Sequence, residues 1–238
     1  MTAEWWFKPS SEGSGLLWDW CGAPPPVYSL APVRRTRSSE HNRHIPVTAF
    51  STTTGGHLAL ESGLEHDLVR RLDRLSSVTW LVAQPVELRW TEPRKFRHVP
   101  DLLSTDAGGA VTLWDVRNPR RLDEKFTLQS DKTRSACAAV GWRYEVFTGL
   151  GEVERLNLLW LHGYRRRPSW QGGIEEAILA TAAGRCVVLD DLFALDDGSG
   201  QAKSAVWHLV WNGTLQVDLE SKLTGRTSVR ITGDGTDG

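Results

Sequence analysis

The chain has little of several things, and each shortage narrows its possibilities. Only three cysteines occur, Cys21, Cys137 and Cys186. Their separations fit no metal-binding spacing, and so few thiols build no disulfide framework, so a reducing compartment is expected. No apolar run approaches the roughly 18 residues that suggest a spanning helix. The opening "MTAEWWFKPSSEGSG" has no charged stretch leading into an apolar one, so no secretory leader is expected. The reading is a soluble protein of the bacterial cytoplasm with no membrane partner. Neither sign of charge dominates: the net charge is −1. That excludes a bulk polycation but leaves a local basic face open, and nucleic-acid binding needs only such a face.

Tryptophan, by contrast, is abundant, with twelve in 238 residues. Most are expected in the core or at its half-wet rim. The composition, 40% hydrophobic and 24% charged, is that of an ordinary globular protein with a sizeable core. The length suits one large domain or two small ones.

Along the chain, residues 1–44 mix Trp, Gly and Pro ("GAPPPVYSLAP") and then turn basic ("VRRTRSSEHNRH"). Pro-Pro-Pro forbids a regular helix there, and a partly ordered arm is expected. Arg34, Arg35, Arg37 and Arg43 form a short basic run that is either a solvated surface or a phosphate contact. "STTTGG" is a turn. In "ESGLEHDLVRRLDRL", Leu64, Leu68, Leu72 and Leu75 line one helical face, with Ser62 as N-cap and Glu65 flanking the stripe in the first turn. "VTWLVAQPVELRW" reads as a strand, with Val86, Leu88 and Trp90 alternating. "FRHVPDLL" is a second strand and "GGAVTLWDVR" a third. "DEKFTLQSDKTRSACAAVG" is helical with Gly141 as its stop, and "WRYEVFT" is a further strand. The order predicts a small α/β core with a mixed sheet.

Two strand positions carry unexpected charge. Asp101 follows Pro100 at the entry to an apolar strand, while Asp115 and Arg117 lie two apart on the next, hence on one side of it. Simple hairpin counting puts Leu103 near Val111 and Asp101 near Leu113. Asp101 and Asp115 are then one diagonal step apart, roughly 7 Å between their Cβ atoms. Two carboxylates so placed are able to share one divalent cation, which takes oxygen ligands at about 2.0–2.6 Å. Structural alternatives exist for each: an ion pair for Asp115 with Arg117, a turn cap for Asp101, and a dipole-favoured first-turn acid for Glu65.

An acid on a helix, Pro-Asp on one strand, acid-x-base on the next and then a helix resembles the PD-(D/E)xK nuclease superfamily. The surrounding segments "ESGLEHDLVRRLDRLSSVTWLVAQPVEL", "HVPDLL", "VTLWDVR" and "ACAAVGWRYEVF" resemble the TnsA-like endonuclease subunits of heteromeric transposases. The likeness runs on through "VERLNLLWLHGYRR" and "VWHLVWNGTLQVDLESKL", over roughly residues 45–232. It implies a restriction-endonuclease-like core over 45–150 and a metal-dependent endonuclease acting on double-stranded DNA. Such a subunit cuts the 5′ side of transposon ends while a DDE-type transposase subunit acts on the 3′ side, under an AAA-type ATPase regulator.

The resemblance also assigns residues. Glu65, Asp101 and Asp115 become the metal and catalytic acids for Mg2+ or Mn2+, with Asp115 where the best-known members carry glutamine. Arg117 stands where the motif has lysine. An arginine stays protonated, so it is able to stabilise a charged phosphate but not to act as a base. Lys132 is a candidate substitute amine, and Gln84 and His98 are candidate auxiliaries at the site's edge. The lost lysine leaves open an alternative, a non-catalytic adaptor that keeps the nuclease fold and binds DNA and partners. A stand-alone restriction-like nuclease is a third reading.

In residues 151–232, Val153, Leu156, Leu159 and Trp160 have helical spacing, and Arg165, Arg166 and Arg167 follow as a candidate DNA contact or a helix end stabilised by cations. "GIEEAILATAAG" is a second helix closed by Gly184. "AVWHLVWNGTLQVDL" reads as two strands round Asn212-Gly213. Helices followed by a hairpin predict a small winged-helix-like domain that meets partners, and residues 233–238 are expected to be a disordered tail. His41, His44, His57 and His66 suit no zinc site. Asp190, Asp191, Asp196 and Asp197 lack EF-hand spacing and are expected in a solvated turn.

Overall fold

A computed structural model of the chain describes residues 3–10, 13–34, 47–92, 95–170, 172–183 and 186–232. Arg35, Arg37, Arg43, His41, His44, Gly184 and the tail 233–238 lie outside the described residues. The protein is mixed α/β. It divides into two compact units, Met1–Asp73 with Ser77–Gly149, and Arg74–Ser76 with Leu150–Gly238.

The first unit runs β1 (Glu4–Pro9), β2 (Leu16–Leu17), β3 (Leu30–Ala31), β4 (Val47–Ser51), β5 (Gly56–Leu60), α1 (Gly63–Asp73), β6 (Val78–Ala83), β7 (Val86–Trp90), β8 (Phe96–His98), β9 (Leu102–Asp106), β10 (Val111–Val116), α2 (Glu124–Ala139) and β11 (Arg143–Phe147). One sheet has the order β11-β10-β9-β6. It is antiparallel except where β10 and β11 run parallel, joined through α2. A second sheet has the order β2-β1-β7-β8, with β3 also on β1, and β4 pairs with β5.

Helix α1 forms as its leucine spacing predicts, burying Leu68, Val69 and Leu72. It stops at Asp73, so Leu75, expected on the same face, is exposed. Burial pushes the Asp73 carboxyl up, but hydrogen bonds from Ser51, Thr53 and Thr52 outweigh it and hold the group below its usual range.

Two expected strands are each split between sheets. "VTWLVAQPVELRW" breaks at Gln84-Pro85, where Gln84 has φ 48°, a left-handed conformation rare outside glycine. Its halves β6 and β7 enter different sheets. "FRHVPDLL" breaks at Val99-Pro100-Asp101, since Pro100 has no N–H to give a ladder. Its halves are β8 and β9.

The expected N-terminal arm is, in its first residues, a core strand. β1 pairs antiparallel with β7, Trp5 opposite Leu88, and buries Trp5 and Phe7. Period-two alternation in "EWWFKP" carries this, since Trp5 and Phe7 share a face. Trp5 meets Trp142 edge-on at 5.4 Å and Trp20 at 5.2 Å between centroids, so several of the tryptophans form one aromatic cluster.

The second unit runs α3 (Glu152–Leu161), α4 (Gly172–Ala182), β12 (Val187–Val188), α5 (Leu189–Phe193), α6 (Gln201–Trp211), β13 (Leu215–Gln216) and β14 (Ser228–Ile231), with sheet order β12-β14-β13. "AVWHLVW" is therefore helix, not the first arm of a hairpin. Ala202, Ala205, Val206, Leu209 and Val210 repeat at helical spacing and are all buried. Asn212-Gly213 ends this helix: Gly213 has φ 78° and its N–H reaches the Val210 carbonyl at 3.3 Å. A left-handed glycine serves a helix C-terminus as well as a hairpin turn, which is why the dipeptide misleads. On α3 the buried residues are Leu158 and Leu161, while Val153, Leu156, Leu159 and Trp160 are exposed, the reverse of the expected face. No helix among the described residues is long and apolar enough to cross a membrane.

Trp5→Ala is expected to destabilise the first unit by about 3–5 kcal/mol, the usual range for emptying a large aromatic site. Urea unfolding followed by tryptophan fluorescence measures it. A change near zero would mean that β1 is not integral to that core.

Candidate active site

The site begins with the turn between β9 and β10. Asp106 Oδ1 accepts from the N–H groups of Gly108 (3.0 Å) and Ala110 (2.9 Å), closing a compact loop. This fixes Leu103 opposite Leu113 and Leu102 opposite Trp114. The register is two residues from that of simple hairpin counting, because the turn is centred on Gly108, one residue later than counting places it. The paired ladder ends at Leu102–Trp114, and Asp101 and Asp115 lie just beyond that last pair. The Asp101 N–H donates to the Trp114 carbonyl (2.9 Å), and Asp101 Oδ2 accepts from the Val116 N–H (2.7 Å).

Asp115 is buried, and two side chains reach its carboxylate. His98 Nε2, at the end of β8, lies 2.9 Å from its carboxylate. The Tyr144 hydroxyl, from β11, donates to Oδ2 at 2.5 Å. Gln129 of α2 approaches the same ring nitrogen, Nε2 to Nε2 at 3.5 Å. Burial first, then the charge of Asp115 and the hydrogen bond to it, push the Tyr144 phenol far up, so it stays a donor. Burial pushes the Cys137 thiol up to about 12, with Asp115 adding to it.

Glu65 comes to the same neighbourhood from α1. Its Oε2 accepts from the Glu61 N–H (2.8 Å), and its Oε1 accepts from the Ser62 hydroxyl (2.8 Å), which accepts from the Glu65 N–H in turn (3.2 Å). This is capping-box chemistry, so Glu65 is also a helix cap. Burial raises its pKa. Asp101 is pushed well above the usual carboxylate range, by burial first and then by the charges of Asp115, Glu65 and Glu61. The structure thus brings Glu65, Asp101 and Asp115 into one electrostatic cluster.

The other candidates divide. Gln84 lies in the turn before β7: its N–H donates to the Asp101 carbonyl (2.9 Å) and its Nε2 to Glu61 Oε1 (2.9 Å). Its Oε1 is buried without a hydrogen-bond partner among the described residues. Arg34 also pairs with Glu61 Oε1, at 2.6 Å, instead of forming a free basic patch. Arg117 does not pair with Asp115. Its Nε donates to the Arg121 carbonyl (2.9 Å), and its guanidinium lies over Phe126, because β10 ends at Val116 and the chain turns toward α2. Lys132 sits over the Phe96 ring at 5.3 Å. In the second unit, Arg165 donates to the His162 carbonyl and Arg167 pairs with Glu175 at 2.6 Å, so neither forms an uncommitted phosphate clamp. Arg166 is exposed. The Asp196 carboxylate serves its own turn, accepting from the N–H groups of Gly198 and Gly200.

Sequence reasoning missed Tyr144, Gln129 and Glu61. Tyr144 carried one available signal: in "WRYEVF" it alternates onto the buried face of a strand, where a phenol needs a partner. Gln129 and Glu61 carried none.

Among the described residues, no three His, Cys, Asp or Glu side chains are grouped to hold a metal ion. Magnesium does not require such a cage, since one or two carboxylates with water and phosphate oxygens suffice. Asp101 and Asp115 would be the two carboxylates of such a set, and a cation there would relieve the repulsion that Asp101 feels from Asp115.

No family model matches the chain, and no curated protein matches it.

The raised Asp101 pKa has a sign that a melting experiment reads. A carboxyl whose folded pKa lies above its unfolded value contributes stability below about pH 4, and that contribution fades as pH rises through the folded value. In chelator-treated protein, Asp101→Asn is therefore expected to gain in melting temperature relative to the wild type between about pH 4 and neutrality. A difference independent of pH would contradict the clustering.

Proposed function

We propose that the chain is a metal-dependent endodeoxyribonuclease subunit of a heteromeric transposase, cutting the 5′ side of transposon ends beside a DDE-type partner. One observation carries the reading: Asp101 lies close enough to Asp115 and Glu65 for their charges to raise its carboxyl pKa. Buried like charges are costly, and a cluster of them on sheet and helix ends is a common mark of a functional site. The element order α1, β6, β9, β10, α2, β11, with one parallel pair in an otherwise antiparallel sheet, supports a restriction-endonuclease-like core. Helices with the small sheet β12-β14-β13 support a winged-helix-like, partner-facing second unit, on which the AAA-type regulator is proposed to act.

Asp101 and Asp115 would hold Mg2+ or Mn2+, with Glu65 at the edge. When bound, the ion supplies charge to polarise a phosphoryl oxygen and to lower the pKa of a water. The chain's own groups do the rest. Backbone N–H groups and the Ser62 cap orient the acids. Arg117 keeps four N–H donors beyond the one given to Arg121, and it offers a permanent positive charge to phosphate without accepting a proton.

The adaptor reading has its own support. Both Glu65 oxygens are used by the helix cap, and Arg117 leans away on Phe126. The two readings part in a nicking assay on end-containing DNA with the DDE-type partner and Mg2+ or Mn2+. The nuclease reading expects a 5′-strand nick that Asp101→Asn and Asp115→Asn each slow by about a hundredfold or more, with DNA binding retained. Assembly on DNA with intact 5′ strands in the wild type would leave the adaptor.

A further inference from the structure

Asp115 is a buried acid held by side chains distant from it in sequence. It is 2% exposed, in the middle of a sheet, on a strand flanked by β9 and β11. Two side chains from two other strands converge on its carboxylate: the Tyr144 hydroxyl at 2.5 Å and His98 Nε2 at 2.9 Å. Neither arrives by local sequence. Tyr144 is registered opposite Leu113 on the parallel neighbour β11, one diagonal step from Asp115. His98 ends β8, which belongs to a different sheet of this unit, and Gln129 on α2 approaches the same ring nitrogen at 3.5 Å.

An ionised carboxylate has about four lone-pair sites. Two donors occupy two of them and leave the others for an ion. They also fix the plane of the carboxylate, which a lone aspartate would rotate about its terminal torsion. Outer hydrogen bonds of this kind orient metal ligands and tune their basicity. We infer that Tyr144 and His98 are positioning residues that hold the Asp115 carboxylate in the orientation in which it takes a divalent cation. The inference rests on the reading of Asp101 and Asp115 as a cation site, and it adds the device that pre-organises one of the two ligands.

The alternative is that both groups merely solvate a buried acid for the sake of the fold. Metal binding separates the two roles without any DNA cleavage. The probe is Mn2+ alone, titrated into the full chain after chelator treatment, by calorimetry and by electron paramagnetic resonance. The latter reports the symmetry of the ion's surroundings. Wild type is expected to bind Mn2+ at a site abolished by Asp115→Asn. Tyr144→Phe keeps the ring and loses one donor; it is expected to weaken Mn2+ binding about 10- to 100-fold and to change the zero-field splitting. His98→Gln, which keeps an N–H donor, is expected to retain more affinity than His98→Ala. Melting without metal checks that each variant is folded, and the His98 pair carries the comparison if Tyr144→Phe does not fold.

Folded variants that bind Mn2+ as the wild type does would overturn the inference while leaving the cation site standing. A wild type that binds no Mn2+ would overturn both. Mn2+ binding that depends on Tyr144 and His98, in a protein that cuts no DNA, would remove the nuclease reading and leave the positioning role intact.

Discussion

The register of β9 against β10 is the constraint on which the rest depends. With Leu103 opposite Leu113 and Leu102 opposite Trp114, Asp101 and Asp115 lie just beyond the last pair, near enough for the charge of one to act on the other. A slip by one residue would turn every side chain of β9 to the other face. The slip is opposed by several independent features. Leu103 and Leu113 are fully buried, the Trp114 indole donates to Ser104 Oγ at 2.8 Å, and the Asp106 turn allows no spare residue. The register is therefore set by apolar packing and turn chemistry, and the acids are carried into contact by it.

That contact is unfavourable in isolation. Asp101 feels burial and the charges of Asp115, Glu65 and Glu61, and only one backbone N–H, from Val116, is given as compensation at its carboxylate. Gln84 adds a left-handed backbone and an amide oxygen that has no partner among the described residues, next to the same acids. Strain and unsatisfied polar groups gathered at one place in an otherwise consistent core are what a functional site looks like physically. The aromatic and aliphatic core behind it, from Trp5 to Tyr144, is large enough to carry that cost. Asp115 and Glu65 differ from Asp101, because the carboxylate of each meets two built-in partners.

How much of this was legible depended on range. Helix α1 and its Ser62 cap, and helix α2 with its stop at Gly141, follow from spacing and turn residues within a few positions. The juxtaposition of Asp101 with Asp115 was legible only to within two residues, because the length of a hairpin turn depends on one side chain, Asp106. Strand ends were misread where a chain leaves one sheet for another, at Gln84-Pro85 and at Pro100, since period-two patterning does not say which sheet a strand joins. "AVWHLVW" was misread because a short apolar run with β-branched and aromatic residues fits both periods, and Asn-Gly closes helix and hairpin alike. Of the groups around Asp115, His98 was legible as a candidate at the site's edge, but its contact with Asp115 was not. Tyr144 and Gln129 are distant in sequence and are set by the parallel pairing of β10 with β11 and the placement of α2.

The central claim is that Asp101 and Asp115 form one cation site. Anomalous diffraction from crystals soaked in Mn2+ tests it most directly. The account predicts one strong manganese peak within bonding distance, about 2.0–2.6 Å, of oxygens from both aspartates. A crystal with no peak there, or with the two carboxylates turned apart and manganese elsewhere, would contradict it.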